Sequence, residues 1–281
     1  MPQDMAGSGA MGARTDLPGW EPYGREPLPP GEDAANGAGP AGRSGGVLPA
    51  DIAGDESESV GGVCVQELEE VLSSLAPPWA AVAAVPIAAA EPLLPEETSF
   101  VARAVASRRA EFGAGRTAAR KAMARLGVGP FSIPVGRHRA PVWPVGIIGS
   151  ITHAEGWAAA IVGPAAPGRA LGLDIERNGR VTEEIAETIR AAGEGMRPEE
   201  AASLVPTGLE PDTLRFAAKE AAFKAYWPVN RHFVGFSDAR VTFAPPRIML
   251  SLGAMPLHGA RALPFAHARV GTLAVALVGI G

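Results

Sequence analysis

The sequence carries two short stretches whose acidic and basic residues could bind a metal ion and a phosphate group. In the first, LGLDIERN, Asp174 and Glu176 alternate with apolar residues, so that on a β-strand the two carboxylates share one face. In the second, FAAKEAAFKAYWP, Glu220 and Lys224 lie four residues apart and share one face of a helix. Three carboxylates offer the oxygen ligands that Mg²⁺ prefers, whereas the Glu220–Lys224 pair alone is as typical of a solvated surface ion pair.

A third stretch, GSITHAEGW, places polar side chains where a predicted strand enters a turn. Ser150, Thr152 and His153 occupy that strand end, a position at which binding groups are common. A lone histidine is more often structural than functional. A Ser150–His153–Asp174 catalytic triad is a weak alternative, because the sequence has no G-x-S-x-G nucleophile elbow.

Two basic clusters could contact phosphate. On a helical region predicted over 95–126, Arg109, Arg116 and Arg120 follow a seven-then-four spacing that places them on one face. Guanidinium groups suit bidentate phosphate contacts, although a solvated basic face explains the same spacing equally well. The second cluster, Arg137–Arg139, lies in a proline-rich loop that could touch phosphates or simply be solvated surface.

Length and composition limit the classes of protein to which the chain could belong. The 281 residues allow one or two domains with a sizeable core, and 47% hydrophobic content is ordinary for a globular chain. No apolar run approaches the ~20 residues that span a bilayer, and the first residues do not resemble a secretory signal. Cys64 is the single cysteine, so no intrachain disulfide can form. We therefore expect a cytoplasmic protein without a membrane partner.

Residues 1–62 differ from the rest of the chain. They contain 14 Gly and 8 Pro without apolar periodicity, which predicts a disordered tail. Residues 1–60 hold ten acids and three bases, a charge of −7, so the net −5 of the whole chain leaves +2 for the remainder. A body this weakly basic permits an anionic ligand but does not indicate a nucleic-acid partner.

An internal similarity predicts two α/β halves. GWAAAIVG, at 156–163, resembles GTLAVALVG, at 271–279, and the helix-like EFGAGRTAARKAMARL resembles RFAAKEAAFKAYWP. We therefore divide the ordered chain into halves at 63–166 and 167–281, with a ligand at their interface. The strands are predicted near 79–90, 147–152, 157–162, 171–176, 239–243, 248–252 and 268–278.

Taken in order, GSITH, GLDIE and FAAKEAAFKAYWP resemble the 4′-phosphopantetheinyl transferases of the Sfp/EntD type. The upstream RRAEFGAGRTAARKAMARLG and PVWPVGIIGSITH are similar to the EntD-like bacterial branch, and the resemblance covers about 94–228. It implies an α/β (α+β) fold of two similar halves that form a pseudo-dimer within one chain. It also implies Mg²⁺-dependent transfer of the phosphopantetheine arm of coenzyme A to a serine of an apo carrier protein, releasing 3′,5′-ADP.

The resemblance implies roles for the site residues. Asp174, Glu176 and Glu220 would hold Mg²⁺, and Glu220, Glu176 or a metal-bound water would take the proton from the carrier serine. Lys224 would neutralise or protonate the departing phosphate, with Lys219 as a second catalytic lysine. The expected coenzyme A contacts are Lys219, Lys224, Thr152, His153, Arg109 and Arg116, with Arg137 or Arg139 from the cationic loop.

Two other functions stay open. A non-catalytic coenzyme A or carrier-binding module would keep the fold without needing the acid and lysine set, and a magnesium-dependent phosphohydrolase would need no carrier. The carrier could belong to fatty-acid, polyketide or peptide synthesis, and the EntD-like branch implies secondary metabolism or siderophore assembly. Two halves in one chain imply a monomer.

Overall fold

The computed structural model describes residues 59–195, 201, 203–251 and 253–281. All of them lie in one compact unit, Ser44–Gly281. Most of the predicted tail, up to residue 58, lies outside the described residues. Residues Ser59–Val60 pair with Val63–Cys64, so regular structure begins before the predicted boundary at residue 62.

The chain alternates strands and helices. The strands are β1 (Ser59–Val60), β2 (Val63–Cys64), β3 (Ala81–Pro86), β4 (Ile147–Ala154), β5 (Trp157–Pro164), β6 (Ala170–Arg177), β7 (Ala239–Phe243), β8 (Pro246–Leu250), β9 (Ala262–Pro264), β10 (Ala266–Val270) and β11 (Leu273–Ile280). The main α-helices are α1 (Val65–Leu75), α2 (Pro95–Thr98), α3 (Ala106–Arg125), α4 (Glu183–Ile189) and α5 (Pro211–Asn230). No helix in the described ranges is both long and apolar enough to cross a membrane.

Two of the sheets have the same topology, which confirms the predicted α/β fold of two similar halves. Their strand orders are β3-β5-β4 and β6-β11-β10, and all neighbours are antiparallel. In each sheet the last strand in sequence lies between the first and the middle one, and a 20-residue helix, α3 or α5, follows the first strand. The two similar sequences GWAAAIVG and GTLAVALVG fall on the central strands β5 and β11. The third sheet, β7-β8-β9, follows α5 and packs its apolar side chains into the same core as that helix.

Alternation along the strands decides which side chains reach the helices. On β6, Leu171, Leu173 and Ile175 enter an apolar cluster shared with β5, β11 and α1. Since successive side chains point to opposite faces, Asp174 and Glu176 lie on the other face, toward α5. The predicted face assignment for this strand is therefore confirmed.

The two sheets meet through hydroxyl groups on β4. Ser150 Oγ accepts a hydrogen bond from the Leu173 amide at 3.0 Å, and Thr152 Oγ1 accepts one from the Ile175 amide at 3.3 Å. Thr152 Oγ1 also donates to Asp174 Oδ1 at 2.9 Å. These bonds place the end of β4 directly beside the acidic face of β6.

Three element boundaries differ from the sequence-based expectation. The helical region predicted over 95–126 is divided into α2, a 3₁₀ turn at Ser99–Val101, and α3. A proline disfavours helix in the residue before it, so the sequence predicts that α5 ends at Trp227–Pro228. The helix instead runs to Asn230 and ends at Arg231 in the left-handed region, because a proline removes only one hydrogen bond of the last turn. The strand predicted over 268–278 is instead a hairpin of β10 and β11, which turns at Gly271 with φ +53°.

Candidate active site

Asp174 is the centre of a buried group of polar side chains. Its side chain is only 5% exposed, and Oδ1 accepts hydrogen bonds from Lys224 Nζ at 2.6 Å and from Thr152 Oγ1 at 2.9 Å. Within the described residues, the buried Oδ2 has no hydrogen-bond partner. The Lys224 ammonium also donates to the Leu173 carbonyl at 3.2 Å. Three residues predicted from separate motifs, Thr152, Asp174 and Lys224, therefore meet at one point.

Glu176 lies two residues along the same face and is held by Arg180. Arg180 donates from NH1 to Glu176 Oε2 at 2.6 Å. Burial, together with repulsion from Asp174, raises the pKa of Glu176 to about 8, although Arg180 acts in the opposite direction. Arg180 is not among the predicted site residues; its position four residues after Glu176, in the turn after β6, was the available signal.

Glu220 and the two strand carboxylates all raise the pKa of Arg180. Burial alone would lower the pKa of the Arg180 guanidinium, but the charges of Glu176, Asp174 and Glu220 together raise it above its ordinary value. All three predicted metal-binding carboxylates therefore act on the same guanidinium. Asp174 and Glu176 come from β6, whereas Glu220 comes from α5.

The strand carboxylates fit a divalent cation as a pair. They supply hard oxygen donors, they repel each other, and Asp174 Oδ2 lacks a partner in the part of the chain that the structure describes. No group of three or more His, Cys, Asp or Glu side chains in these ranges has an arrangement that could hold a metal ion. Lys224 and Arg180 lie against the strand carboxylates, and the set of Asp174, Glu176 and Glu220 as metal ligands stays a prediction.

His153 extends the site along β4 toward the start of α3. Its Nε2 lies 3.0 Å from Arg108 NH1 and 3.9 Å from Glu111 Oε2. Burial lowers the pKa of His153, and the positive charge of Arg108 adds to this effect while Glu111 opposes it. The arginine beside His153 is thus Arg108, whereas the predicted Arg109 is exposed and donates to the Ala104 carbonyl.

The other two arginines of the predicted basic face are buried. Arg116 is 6% exposed, donates from Nε to the Ile133 carbonyl at 2.8 Å and stacks 4.0 Å from the Phe112 ring. Burial lowers its pKa to about 10. Arg120 donates from NH1 to both carboxylate oxygens of the fully buried Glu97, at 3.0 and 3.1 Å. These guanidinium groups tie α3 to the loop that follows it and to α2, so this helix face is not a solvated surface.

The cationic loop reaches across to α5. Arg137–Arg139 form an exposed 3₁₀ turn, in which His138 and Arg139 have φ values of 52° and 57°. The His138 ring packs edge-on against the Trp227 ring, with centroids 4.4 Å apart. The loop therefore presents its two arginines beside the end of the helix that carries Lys224.

Lys219 does not point to this site. It is 3% exposed, and its ammonium donates to Glu194 Oε2 at 2.6 Å, the Ile189 carbonyl at 2.6 Å and the Phe236 carbonyl at 3.0 Å. An ammonium has three N–H donors, and all three are used. The Lys219 side chain therefore enters the protein interior in this structure, and its contact with phosphate stays a prediction that this geometry does not support. Glu194, its buried partner, was missed because it belongs to no recognisable motif.

Two protein-family models match the chain, one after the other. The model of the 4′-phosphopantetheinyl transferase N-terminal domain matches residues 96–163, and that of the 4′-phosphopantetheinyl transferase superfamily matches residues 170–268. The chain belongs to the 4′-phosphopantetheinyl transferase superfamily. The two matches contain β4, β6 and α5, the elements that bring the candidate site together.

Curated relatives agree with this assignment. The chain is 37% identical to 4′-phosphopantetheinyl transferase Npt of Nocardia iowensis over 150 residues and 39% identical to PptT of Mycobacterium tuberculosis over 153 residues. Each match covers 53% of this chain and 65% of the relative. Enterobactin synthase component D of Salmonella typhimurium is 37% identical over 138 residues, 48% of this chain and 55% of that protein. The chain therefore spans less than two thirds of the length of these relatives.

Proposed function

We propose that this protein transfers the 4′-phosphopantetheine arm of coenzyme A to a serine of an apo carrier protein, in an Mg²⁺-dependent reaction. The serine oxygen forms a bond to the pyrophosphate phosphorus next to the pantetheine. The bond from that phosphorus to the bridging oxygen breaks, and the bridging oxygen leaves with 3′,5′-ADP. The observation that carries the proposal is the meeting of Lys224, Asp174 and Thr152 within hydrogen-bond distance, beside the acid Glu176.

Asp174 and Glu176 are the proposed metal ligands on β6, and Glu220 is the third, from α5. A bound Mg²⁺ would neutralise charge on the pyrophosphate, which is the main requirement of phosphoryl transfer. The unpartnered Asp174 Oδ2 and the raised pKa of Glu176 support this assignment, because both indicate negative charge that the protein alone does not satisfy fully.

Lys224 is the proposed donor to the leaving phosphate. Its ammonium lies at the edge of the acidic face, 16% exposed, so it can exchange Asp174 for a phosphate oxygen by a small rotation. Glu220 is the proposed base for the carrier serine. Glu176 is the alternative base.

The coenzyme A phosphates are proposed to bind along His153 and the exposed arginines that flank this centre. His153 and Arg108 lie in contact at the end of β4, and Arg109 follows on the exposed start of α3. Arg137 and Arg139 project from the loop packed against Trp227. Several guanidinium groups suit a ligand that carries both a pyrophosphate and a 3′-phosphate.

Arg116 remains a predicted 3′-phosphate contact. Its burial and its bond to the Ile133 carbonyl leave only the edge of its side chain at the surface. We further propose that the protein works as a monomer, because the site combines β4 of one half with β6 and α5 of the other.

The test is intact mass spectrometry of apo carrier proteins from fatty-acid, polyketide and peptide synthesis after incubation with the protein, coenzyme A and Mg²⁺. We expect a gain of one phosphopantetheine arm that disappears with EDTA, with an alanine at the carrier serine, or with the Asp174→Ala variant. Coenzyme A binding without transfer to any carrier would contradict the proposal and indicate a binding module. Coenzyme A cleavage without a carrier would indicate a phosphohydrolase.

A further inference from the structure

The buried carboxylate of Glu194 joins separate parts of the second half of the chain. Its side chain is 0% exposed, and Oε2 accepts from the Lys219 ammonium at 2.6 Å and from the Ala191 amide. Oε1 accepts from the Val241 amide at 2.6 Å and lies 3.3 Å from Arg215 Nε. One carboxylate therefore holds α5, β7 and the segment after α4 together.

Lys219 completes this junction. Besides Glu194, its ammonium holds the carbonyl of Ile189, the last residue of α4, and that of Phe236, in the turn before β7. Burial lowers the pKa of Lys219, and the charge of Glu194 opposes that shift. A buried ion pair with every donor satisfied has little freedom to move, so it fixes the point of α5 at which Lys219 sits.

This fixed point adjoins the proposed chemistry. Glu220 follows Lys219 directly in the chain, and Lys224 lies five residues further on the same helix. Residues on a helix are offset by 100° each, so locking Lys219 inward sets the direction in which Glu220 and Lys224 project. Any rotation of α5 would separate the Lys224 ammonium from Asp174, which it contacts at 2.6 Å.

We propose that Glu194 is a positioning residue that acts through Lys219 to set α5 against β6. Lys219 then supports transfer without touching phosphate. The proposal rests on the transferase function proposed above. Lys219, the lysine next to Glu220, therefore affects transfer through its contacts inside the protein and not through contact with coenzyme A.

A double-mutant cycle tests this role. Lys219→Met, Glu194→Gln and the double variant are compared with the wild type in kcat, in KM for coenzyme A and for the carrier, and in coenzyme A affinity by calorimetry. We expect each single variant to lower kcat by about tenfold or more while coenzyme A affinity changes less than about threefold. The double variant should be no slower than the slower single variant, because both changes break one interaction. Lys121→Met, at an exposed position of α3, is the matched control and should leave all values unchanged.

Two results would overturn the inference. One is a tenfold weaker coenzyme A affinity in Lys219→Met alone, and the other is additive losses of kcat in the double variant. If a single variant fails to fold, the double variant decides, since it removes both charges of the buried pair. A wild-type kcat in the double variant would refute the positioning role. A reduced kcat with unchanged coenzyme A affinity would support it. A wild-type protein that transfers nothing to any carrier would instead refute the proposed function itself.

Discussion

Gly172 controls how closely the helix α5 approaches the acidic strand β6. A Cβ at this position would lie 1.8 Å from the Ala221 carbonyl oxygen and 2.8 Å from the Ala225 amide nitrogen. Both neighbours are backbone atoms of α5, so no side-chain rotation can relieve the overlap. We predict that Gly172→Ala pushes the helix away from the strand and separates the residues that the site needs together.

The size of the effect follows from these distances. Ordinary contacts of a Cβ begin near 3.4 Å, so strand and helix must move apart by about 1.5 Å. Lys224 Nζ and Asp174 Oδ1 are 2.6 Å apart, and a displacement of this size would break their hydrogen bond. Misplacement of catalytic groups by about 1 Å can cost about a hundredfold in rate, and overpacking a core typically costs about 1–3 kcal/mol of stability. We therefore expect about a hundredfold lower kcat in a protein that still folds.

The assay measures carrier modification by intact mass against time, with urea unfolding of the same preparation. Gly129→Ala is the matched control, because a Cβ there meets nothing within 4 Å. It should keep both the wild-type rate and the wild-type midpoint of unfolding. A Gly172→Ala variant with wild-type kcat would show that the close helix–strand contact does not set the site, and would refute this reasoning.

Three further predictions concern single side chains. Lys224→Met should lower kcat with little change in coenzyme A affinity by calorimetry; a loss of affinity alone would contradict the leaving-group role. Without metal, the free energy of unfolding should fall as pH rises from about 5 to 8, because folded Glu176, with a pKa of about 8 against an ordinary 4.5, keeps a proton that the unfolded chain releases. Glu176→Gln should flatten that profile in urea titrations, and an unchanged slope would contradict the shift. Arg120→Met should destabilise the fold by about 3–5 kcal/mol, because it leaves Glu97 buried and unpaired. The Arg120→Met/Glu97→Gln double variant should recover much of this loss in urea unfolding, and no recovery would contradict the pairing.

The sequence was sufficient to predict the parts of the fold that depend on local pattern. The alternation of LGLDIE placed Asp174 and Glu176 on the face opposite the apolar residues, and the strand in the structure has this arrangement. The similarity of GWAAAIVG to GTLAVALVG predicted two related halves. In the structure, both segments form the central strands of sheets with the same topology. Period-two alternation and internal similarity are properties of the chain itself, so no tertiary information was needed.

The basic helix shows where local pattern was not enough. Arg109, Arg116 and Arg120 share a spacing, but their environments differ with what packs against them. Arg116 meets the Ile133 carbonyl in the loop after α3, and Arg120 meets Glu97 in α2. A buried helix face is normally recognised in a sequence by its apolar residues. Here arginines occupy two of the buried positions, so the sequence pattern did not indicate burial. Their burial depends on tertiary packing, which the spacing of the arginines does not specify.

The adjacent residues Lys219 and Glu220 also show what local sequence pattern cannot predict. A motif specifies that Lys219 and Glu220 project in directions 100° apart, but not which of them faces the core. That choice depends on Glu194, 25 residues earlier, whose carboxylate is buried and needs a cation. A buried carboxylate without a partner would be strongly unfavourable, so α5 takes the rotation that gives Lys219 to Glu194. The same rotation directs Glu220 and Lys224 away from Glu194, toward β6. A structural ion pair and the proposed catalytic groups are therefore two consequences of one helix orientation, and a variant that disturbs the first should impair the second.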